Sequence, residues 1–432
     1  MERIDLETAL ELILSRTIPI DDVLKLPLRK AHGLVSGETI YAPIDNPPFD
    51  RSPLDGFALR SADTVNASEA APVRLRVAGV EYAGSVYTGT ASGPALLPGE
   101  ALRIMTGAPM PEGSDAMLPK EDVQESASRE NGAFKENGGT EVVISHPVKK
   151  HENYIFRGED VQKGQLLISP GERLDFVRLG LLAEMGFAEV PVYRPPEIGI
   201  LCTGDELVPP GEPLPPGKIY NSNGVLLSAR LRELGFRPHL LPIVADVSET
   251  AAAEIGAHME SLDMLITTGA VSVGDKDIMR DVLTRLGAER LFWRMNFKPG
   301  SAILCGMYRG KLLICLSGNP FAAMANLELL ARPVLAKLAR RPDLKTRRLE
   351  ARLQNPFPKS SGARRFIRAR LLTENGAGEP PLESGLPLVS LPEGHASGQM
   401  RSLVGCNCFV DIPACSGALS AGSIVEVVQY NA

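Results

Sequence analysis

Two short strings in this sequence combine small residues, hydroxyls and the start of a helix: Thr268-Gly269-Ala270-Val271-Ser272-Val273-Gly274 and Ser317-Gly318-Asn319-Pro320. Small residues let backbone N–H groups approach an anion, and the helix beyond supplies unpaired donors and the positive end of its dipole. Pro320 suits the first helical turn, where a missing N–H costs nothing. Either string alone reads as a structural strand-to-helix turn. Two on one edge of a sheet, with hydroxyls at Thr268, Ser272 and Ser317, point to a bound phosphate-like anion. Lys298, in Phe297-Lys298-Pro299-Gly300, either adds positive charge for that anion or is a solvated turn lysine.

Acids stand in the same loops: Asp205 and Glu206 after Thr203-Gly204, then Asp246, then Asp277. A carboxylate about 4 Å from a phosphate costs about 4 kcal/mol per charge pair at an effective dielectric near 20. A helix terminus returns only about 0.3–1 kcal/mol. A phosphate ligand here therefore requires a divalent cation between it and the acids, and oxygen donors suit Mg²⁺ or a similar hard ion. The simpler alternative is that Asp205 or Asp246 caps the next helix.

A second polar group lies earlier in the chain, in Asn46 to Arg60, Arg103 to Pro111 and Arg157-Gly158-Glu159-Asp160. Turn formers and charges dominate all three, so composition reads them as loops. The residues alone carry the argument to a divalent-cation-dependent phosphate-ester or nucleotide site.

The elements that must position these loops follow from hydrophobic periodicity. Residues 197–338 alternate strand and helix. Strands are expected at Ile198–Cys202, Leu240–Val244, Met264–Thr267 and Leu312–Leu316; helices at Val225–Leu234, Thr250–Met259, Asp277–Leu286 and Phe321–Leu338. Apolar strand runs between amphipathic helices predict a parallel sheet covered on both faces, with ligands beyond its carboxyl edge. The first 40 or so residues read as helical, with a second amphipathic piece around Val23-Leu24. Residues 46–148 are rich in Gly, Pro and alternating strands such as Val73-Arg74-Leu75-Arg76-Val77, and Leu174 to Met185 returns to helix before Gly186. The tail from 341 reads as a small β-barrel or sandwich. The expected domains are a discontinuous helical linking domain (1–45 and 149–190), a β-rich insert (46–148), an α/β domain (191–340) and a C-terminal β-domain (341–432).

At 432 residues, 44% hydrophobic and 23% charged, the chain has the composition of a multidomain globular protein rather than a disordered one. Its 46 basic against 52 acidic residues leave a net charge of −6 without a basic stripe, which speaks against nucleic-acid binding. The six cysteines suit buried thiols in a reducing compartment. Cys406-Asn407-Cys408 with Cys415 lacks paired CxxC spacing and reads as small core residues rather than a zinc site. The charged start Met1-Glu2-Arg3-Ile4-Asp5 is unlike a signal peptide, and no apolar run reaches the roughly 20 residues of a membrane span. A cytoplasmic location without membrane association is expected.

Taken together, the motifs resemble the molybdopterin molybdenumtransferase family (MoeA), whose animal counterpart is the E domain of gephyrin. The resemblance covers nearly the whole chain. It runs through Asp50-Arg51-Ser52-Pro53-Leu54-Asp55-Gly56-Phe57-Ala58, Arg103 to Pro111 with Glu121-Asp122, and Arg157 to Asp160. It continues through Thr203 to Leu207, Val271 to Gly274, Lys298-Pro299-Gly300 and Gly318-Asn319-Pro320. It implies an elongated four-part homodimer with an α/β domain like that of the molybdopterin adenylyltransferases, which act just before it and are the expected upstream partner. It also implies a reaction, in which adenylylated molybdopterin and molybdate give molybdenum cofactor and AMP with a divalent cation, Mg²⁺ or another.

The family's site lies in a cleft between the α/β domain of one subunit and the β-rich parts of the other. Carried over by motif, the implied catalytic residues are Asp55, Thr106, Asp160, Glu206 and Lys298. The implied metal ligands are Glu206, Asp246 and Asp277, and the cofactor-binding residues Thr268, Gly269, Ser272, Gly274, Ser317, Gly318, Asn319 and Pro320. Four departures stand out: Ala270 for a usual glycine, Ser301-Ala302 for lysine-proline, Ser317 for proline and Arg294 for lysine. They leave two alternatives, a tungstate-specific variant or a catalytically weakened paralogue acting as a cofactor-binding or scaffold protein.

Overall fold

The computed structural model describes residues 3–84, 95–127, 129–130, 133–134, 140–271, 278–372, 385–394 and 398–431. Ser272, Gly274 and Asp277 lie outside them. The chain divides into two compact units, Met1–Gly37 with Val190–Ala432, and Glu38–Glu189.

The first unit opens on α1 (Leu6–Arg16), where the Asp5 carboxylate caps the helix by accepting the Thr8 N–H at 2.8 Å. Leu6, Ala9 and Ile13, spaced three to four apart, form its buried face. The expected second helical piece is instead a strand, Val23–Pro27, paired with Glu189–Tyr193. Pro19 and Pro27 bracket the segment and leave no room for a stable helix there.

The α/β layer follows as β1 (Ile198–Cys202), α2 (Ser222–Glu233), β2 (His239–Leu240), α3 (Ser248–His258), β3 (Met264–Thr268) and α4 (Met279–Leu286). Then come β4 (Glu289–Trp293), β5 (Leu304–Tyr308), β6 (Lys311–Leu316), α5 (Pro320–Asn326) and α6 (Arg332–Leu338). The sheet order is β2-β1-β3-β6-β5-β4. Strands β2, β1, β3 and β6 are parallel, in a register that sets Ile198 beside Met264 and Met264 beside Leu312. Every residue of β1 and β3 is buried, as expected for strands with helices on both faces. Strand β2 is shorter than expected because Pro242 has no N–H to give the ladder.

Two antiparallel strands, β4 and β5, extend the sheet beyond the expected parallel core. The β5–β6 hairpin turns at Arg309 and Gly310, both with positive φ (51° and 77°), as a two-residue primed turn requires. The expected helix Phe321–Leu338 is interrupted by a π-helical turn, Leu327–Ala331. Pro333 supplies the reason, since it offers no N–H and its ring crowds the preceding turn. Glu328, wholly buried in that turn, is paired with Arg230 of α2 and Arg332 of α6, and both guanidiniums also reach the Tyr430 carbonyl.

Beyond α6, β7 (Arg347–Leu353), β8 (Arg364–Leu372), β9 (Leu388–Ser390), β10 (Cys408–Ile412) and β11 (Ile424–Gln429) close into a five-stranded barrel. Its order is β8-β9-β7-β11-β10 and back to β8, which settles barrel over sandwich. Burial pushes the Cys202 thiol up to about 11 and the Cys408 thiol up to about 12.

The second unit holds a six-stranded sheet in the order Ala116–Pro119, Gly56–Leu59, Glu100–Ile104, Val73–Glu81, Thr140–Ile144, Gln124–Ala127. It also contains the helix Phe176–Glu184, capped by Asp175 and ending before Gly186, whose φ is 84°. Among the described residues, no helix is long and apolar enough to cross a membrane.

Candidate active site

In the first unit, β1, β3 and β6 end side by side, and their following loops are tied by backbone bonds. Thr203 N–H donates to Thr268 O at 3.0 Å and Gly269 N–H to Leu316 O at 3.1 Å. A Cβ at Gly269, where φ is 107°, would stand 2.3 Å from the Thr203 carbonyl oxygen, so only glycine fits. Gly318 lies against Gly269, and Ala270 adopts a φ of 49°, the left-handed conformation that its side chain disfavours.

The Thr268 hydroxyl serves this scaffold. It donates to Ser317 O at 3.1 Å and accepts from Asn223 Nδ2 at 2.9 Å; Asn223 also donates to Gly318 O at 2.8 Å. Asn223, at the start of α2, thus fastens two of the expected anion loops together. Sequence reasoning missed it, because an asparagine in Asn-Ser-Asn-Gly reads as ordinary helix-start chemistry.

Asp205 and Asp246 face each other. Asp246 N–H donates to Asp205 Oδ1 at 3.1 Å, and Asp205 N–H donates to Asp246 Oδ2 at 3.4 Å. Asp246 does not cap α3, whose N-cap is Val247 without a side-chain bond. The Glu206 carboxylate folds against Gly204. Among the described residues, no three His, Cys, Asp or Glu side chains gather as a metal cage.

Lys298 lies in a different recess, a cavity of about 360 Å³ shared with Ser301, Ser317, Asn319 and Arg365. Phe297–Lys298 pairs with β8 in parallel register, Phe297 beside Arg364 and Lys298 beside Arg365. No carboxylate lines this cavity among the described residues, and the buried Arg365 Nε has no hydrogen-bond partner. Two cations in direct register repel each other, and an anion between them would relieve that. Arg364, the preceding residue, is instead bound by carboxylates, to Asp411 at 2.6 Å and Glu7 at 2.7 Å. The sequence showed Arg364-Arg365 only as a charge pair; strand alternation turns one toward acids and the other into the cavity.

Positive charge also collects at Trp293, the single tryptophan of the chain. The Arg280 and Arg294 guanidinium carbons stand 4.5 and 5.0 Å from its ring centroid, and Arg294 holds a φ of 72°.

The second unit carries its own cluster. The Asp55 Oδ1 atom accepts from both Thr106 Oγ1 at 2.7 Å and Thr106 N–H at 2.8 Å. The Thr106 hydroxyl, then its N–H, hold the Asp55 carboxyl below the usual range. Asp160 accepts from Asn46 Nδ2 at 3.1 Å. Arg51 bridges in backbone register to both Pro109 and Ile155, so the loops bearing Asp55, Thr106 and Asp160 share one scaffold. The Asp45 carboxyl is held low by the Lys163 N–H and then by the Arg157 guanidinium.

The chain matches the MoeA N-terminal region (domain I and II) over residues 4–186, a probable molybdopterin binding domain over 199–337, and the MoeA C-terminal region (domain IV) over 350–430. It is 35% identical to the molybdopterin molybdenumtransferase of Bacillus subtilis (strain 168), covering 95% of this chain and 94% of the relative. The corresponding protein of Staphylococcus aureus (strain COL) is 32% identical over 93% of this chain and 90% of its own length. The crystal structure of a molybdopterin biosynthesis MoeA protein from Pyrococcus horikosii matches with a TM-score of 0.77 at 33% identity, covering 100% of both chains. The chain belongs to the MoeA family of molybdopterin molybdenumtransferases.

Proposed function

We propose that the protein transfers molybdenum from molybdate into adenylylated molybdopterin, releasing AMP, with a divalent cation, as a cytoplasmic homodimer. The single observation that carries this is the cavity, free of carboxylates among the described residues, that Lys298 and Arg365 line side by side with Ser301, Ser317 and Asn319. Its chemistry suits a small tetrahedral oxyanion, with two fixed cations for charge and hydroxyl and amide groups for orientation. Ser301 and Ser317, where the family usually has other residues, supply two of those hydroxyls.

The loops after β1, β3 and β6 are assigned to the phosphate-bearing part of the substrate, through Gly269, Ser317, Gly318, Asn319 and Pro320, with Thr268 as the residue that holds the loops together. Ser272 and Gly274 belong to this assignment by motif. Asp205 and Asp246 offer neighbouring carboxylates rather than a closed cage, which fits Mg²⁺, an ion that commonly takes one or two carboxylates together with substrate phosphates. Glu206 and Asp277 are assigned to the same cation by motif. When bound, the cation supplies charge neutralisation of the phosphates. Asp55, fixed by Thr106, and Asp160, fixed by Asn46, are assigned to orienting the substrate as carboxylates.

The test is AMP release from adenylylated molybdopterin by the purified protein. Release that requires molybdate and divalent cation, and stops with chelator, is the expected result. Release with tungstate alone would reassign the oxyanion. No release from a folded protein with any combination would overturn the proposal.

A further inference from the structure

In the second unit, three aromatic side chains from one short segment meet outside the main apolar core. The His151 ring lies 4.8 Å from that of Phe156 and 5.4 Å from that of Tyr154, and Tyr154 and Phe156 are 4.9 Å apart. Tyr154 anchors the group from below, against Ala58, Ile104, Ala108, Met110 and Met117. Phe156 is 42% exposed.

The backbone is held in place to present these rings. His151 and Asn153 both adopt left-handed conformations (φ 63° and 49°), which non-glycine residues keep only where the surroundings impose them. His151 N–H donates to Asp115 O at 2.7 Å, and Asn153 Nδ2 to Met117 O at 3.3 Å, which pins the segment to the strand Ala116–Pro119. The edge of the patch is acidic. Asp50 accepts from the Tyr154 hydroxyl at 2.6 Å and from Arg157 N–H at 2.7 Å; Glu159 accepts from Phe156 N–H at 2.8 Å.

We infer that the exposed face of Phe156, flanked by the His151 ring at 78° and the Tyr154 ring at 49°, is a stacking platform for a fused aminopyrimidine ring, and that its occupant is the pterin of the substrate. Aromatic faces stack on flat heterocycles with little dependence on substituents, so the edge decides which ring is taken. Ionised carboxylates only accept hydrogen bonds, and the oxygens of Asp50 and Glu159 keep lone pairs beyond the donors they receive. The 2-amino-4-oxo edge of a pterin offers adjacent donors, a ring N–H and an amino group. The corresponding edge of adenine pairs one donor with an acceptor, which a carboxylate repels. The patch therefore favours pterin over the adenine of the same substrate. This inference rests on the substrate proposed above.

The test uses the full-length protein and 6-hydroxymethylpterin, which lacks both phosphate and adenine, followed by the pterin's own fluorescence. Saturable quenching is expected. Phe156→Ala should weaken it about tenfold, His151→Ala should weaken it less, and Phe156→Tyr should leave it within about twofold. Adenosine should not displace the pterin. Because Phe156 is exposed, its variants are expected to fold, and an unchanged circular dichroism spectrum confirms it. Absent quenching in the wild type, equal binding by Phe156→Ala, or displacement by adenosine would each overturn the inference. AMP release is read separately. Loss of AMP release with platform-dependent pterin binding would count against the proposed reaction alone. AMP release with platform-independent pterin binding would count against the platform alone.

Discussion

Lys298 and Arg365 stand directly beside each other on adjacent parallel strands, and both line a cavity at Ser317 that holds no carboxylate among the described residues. Hydrogen bonds to charged groups contribute about 1.5–3 kcal/mol each, or roughly tenfold to a hundredfold in affinity. Lys298→Ala and Arg365→Ala should therefore each raise the KM for molybdate by about tenfold or more. Arg365→Lys should recover part of the loss, since it keeps charge but not the planar donor geometry. Steady-state AMP release against molybdate concentration reads this, and an unchanged KM in both alanine variants would remove these residues from oxyanion binding.

Ala270 tests the cost of a side chain in the left-handed region. Its φ of 49° is a conformation that costs an L-residue about 1–2 kcal/mol, while glycine loses about 0.5–1 kcal/mol of chain entropy. Ala270→Gly should therefore raise the thermal midpoint slightly, by up to about 1 kcal/mol of stability. A lower midpoint would mean that the alanine side chain contributes packing that outweighs its strain.

The Thr106 hydroxyl is the first cause of the lowered Asp55 carboxyl. Thr106→Val removes it and should move Asp55 back up toward the ordinary carboxylate value, read by carbon NMR of its carboxyl group. A depressed native pKa contributes stability above the unfolded value that is lost as pH falls through the native one. The variant should thus be less stable than the wild type near neutrality, with a shallower loss on the acid side that brings the two together once Asp55 is protonated in both. An unmoved Asp55 titration would show that the Thr106 N–H alone sets it.

Glu328 is wholly buried between Arg230 and Arg332. Glu328→Gln takes the buried carboxylate from Arg332 and leaves Arg230 with its more exposed partner Glu233, and breaking a buried pair costs about 3–5 kcal/mol. A drop in the thermal midpoint of several degrees is expected. A midpoint within a degree of wild type would show that Glu233 and the Tyr430 carbonyl suffice for the two arginines.

The buried strands β1, β3 and β6 were legible because wholly apolar runs between amphipathic helices have few other solutions. Strands β4 and β5 were not, since Glu289-Arg290 begins an edge strand with charge and Gly306 interrupts the apolar run of Leu304–Tyr308. The glycine turns were legible as turns at the carboxyl edge of the sheet, but not that the Thr268 hydroxyl would be spent joining them through Asn223. Arg365 was hidden because its role depends on register with a residue far away in the chain. Spacing can mark a cation; only strand pairing shows which other cation it faces.

The most direct measurement of the central claim is equilibrium binding of molybdate to the wild-type protein and to a Lys298→Ala/Arg365→Ala double variant. The account predicts saturable molybdate binding by the wild type and its loss in a double variant that remains folded. Equal binding by both proteins would contradict it.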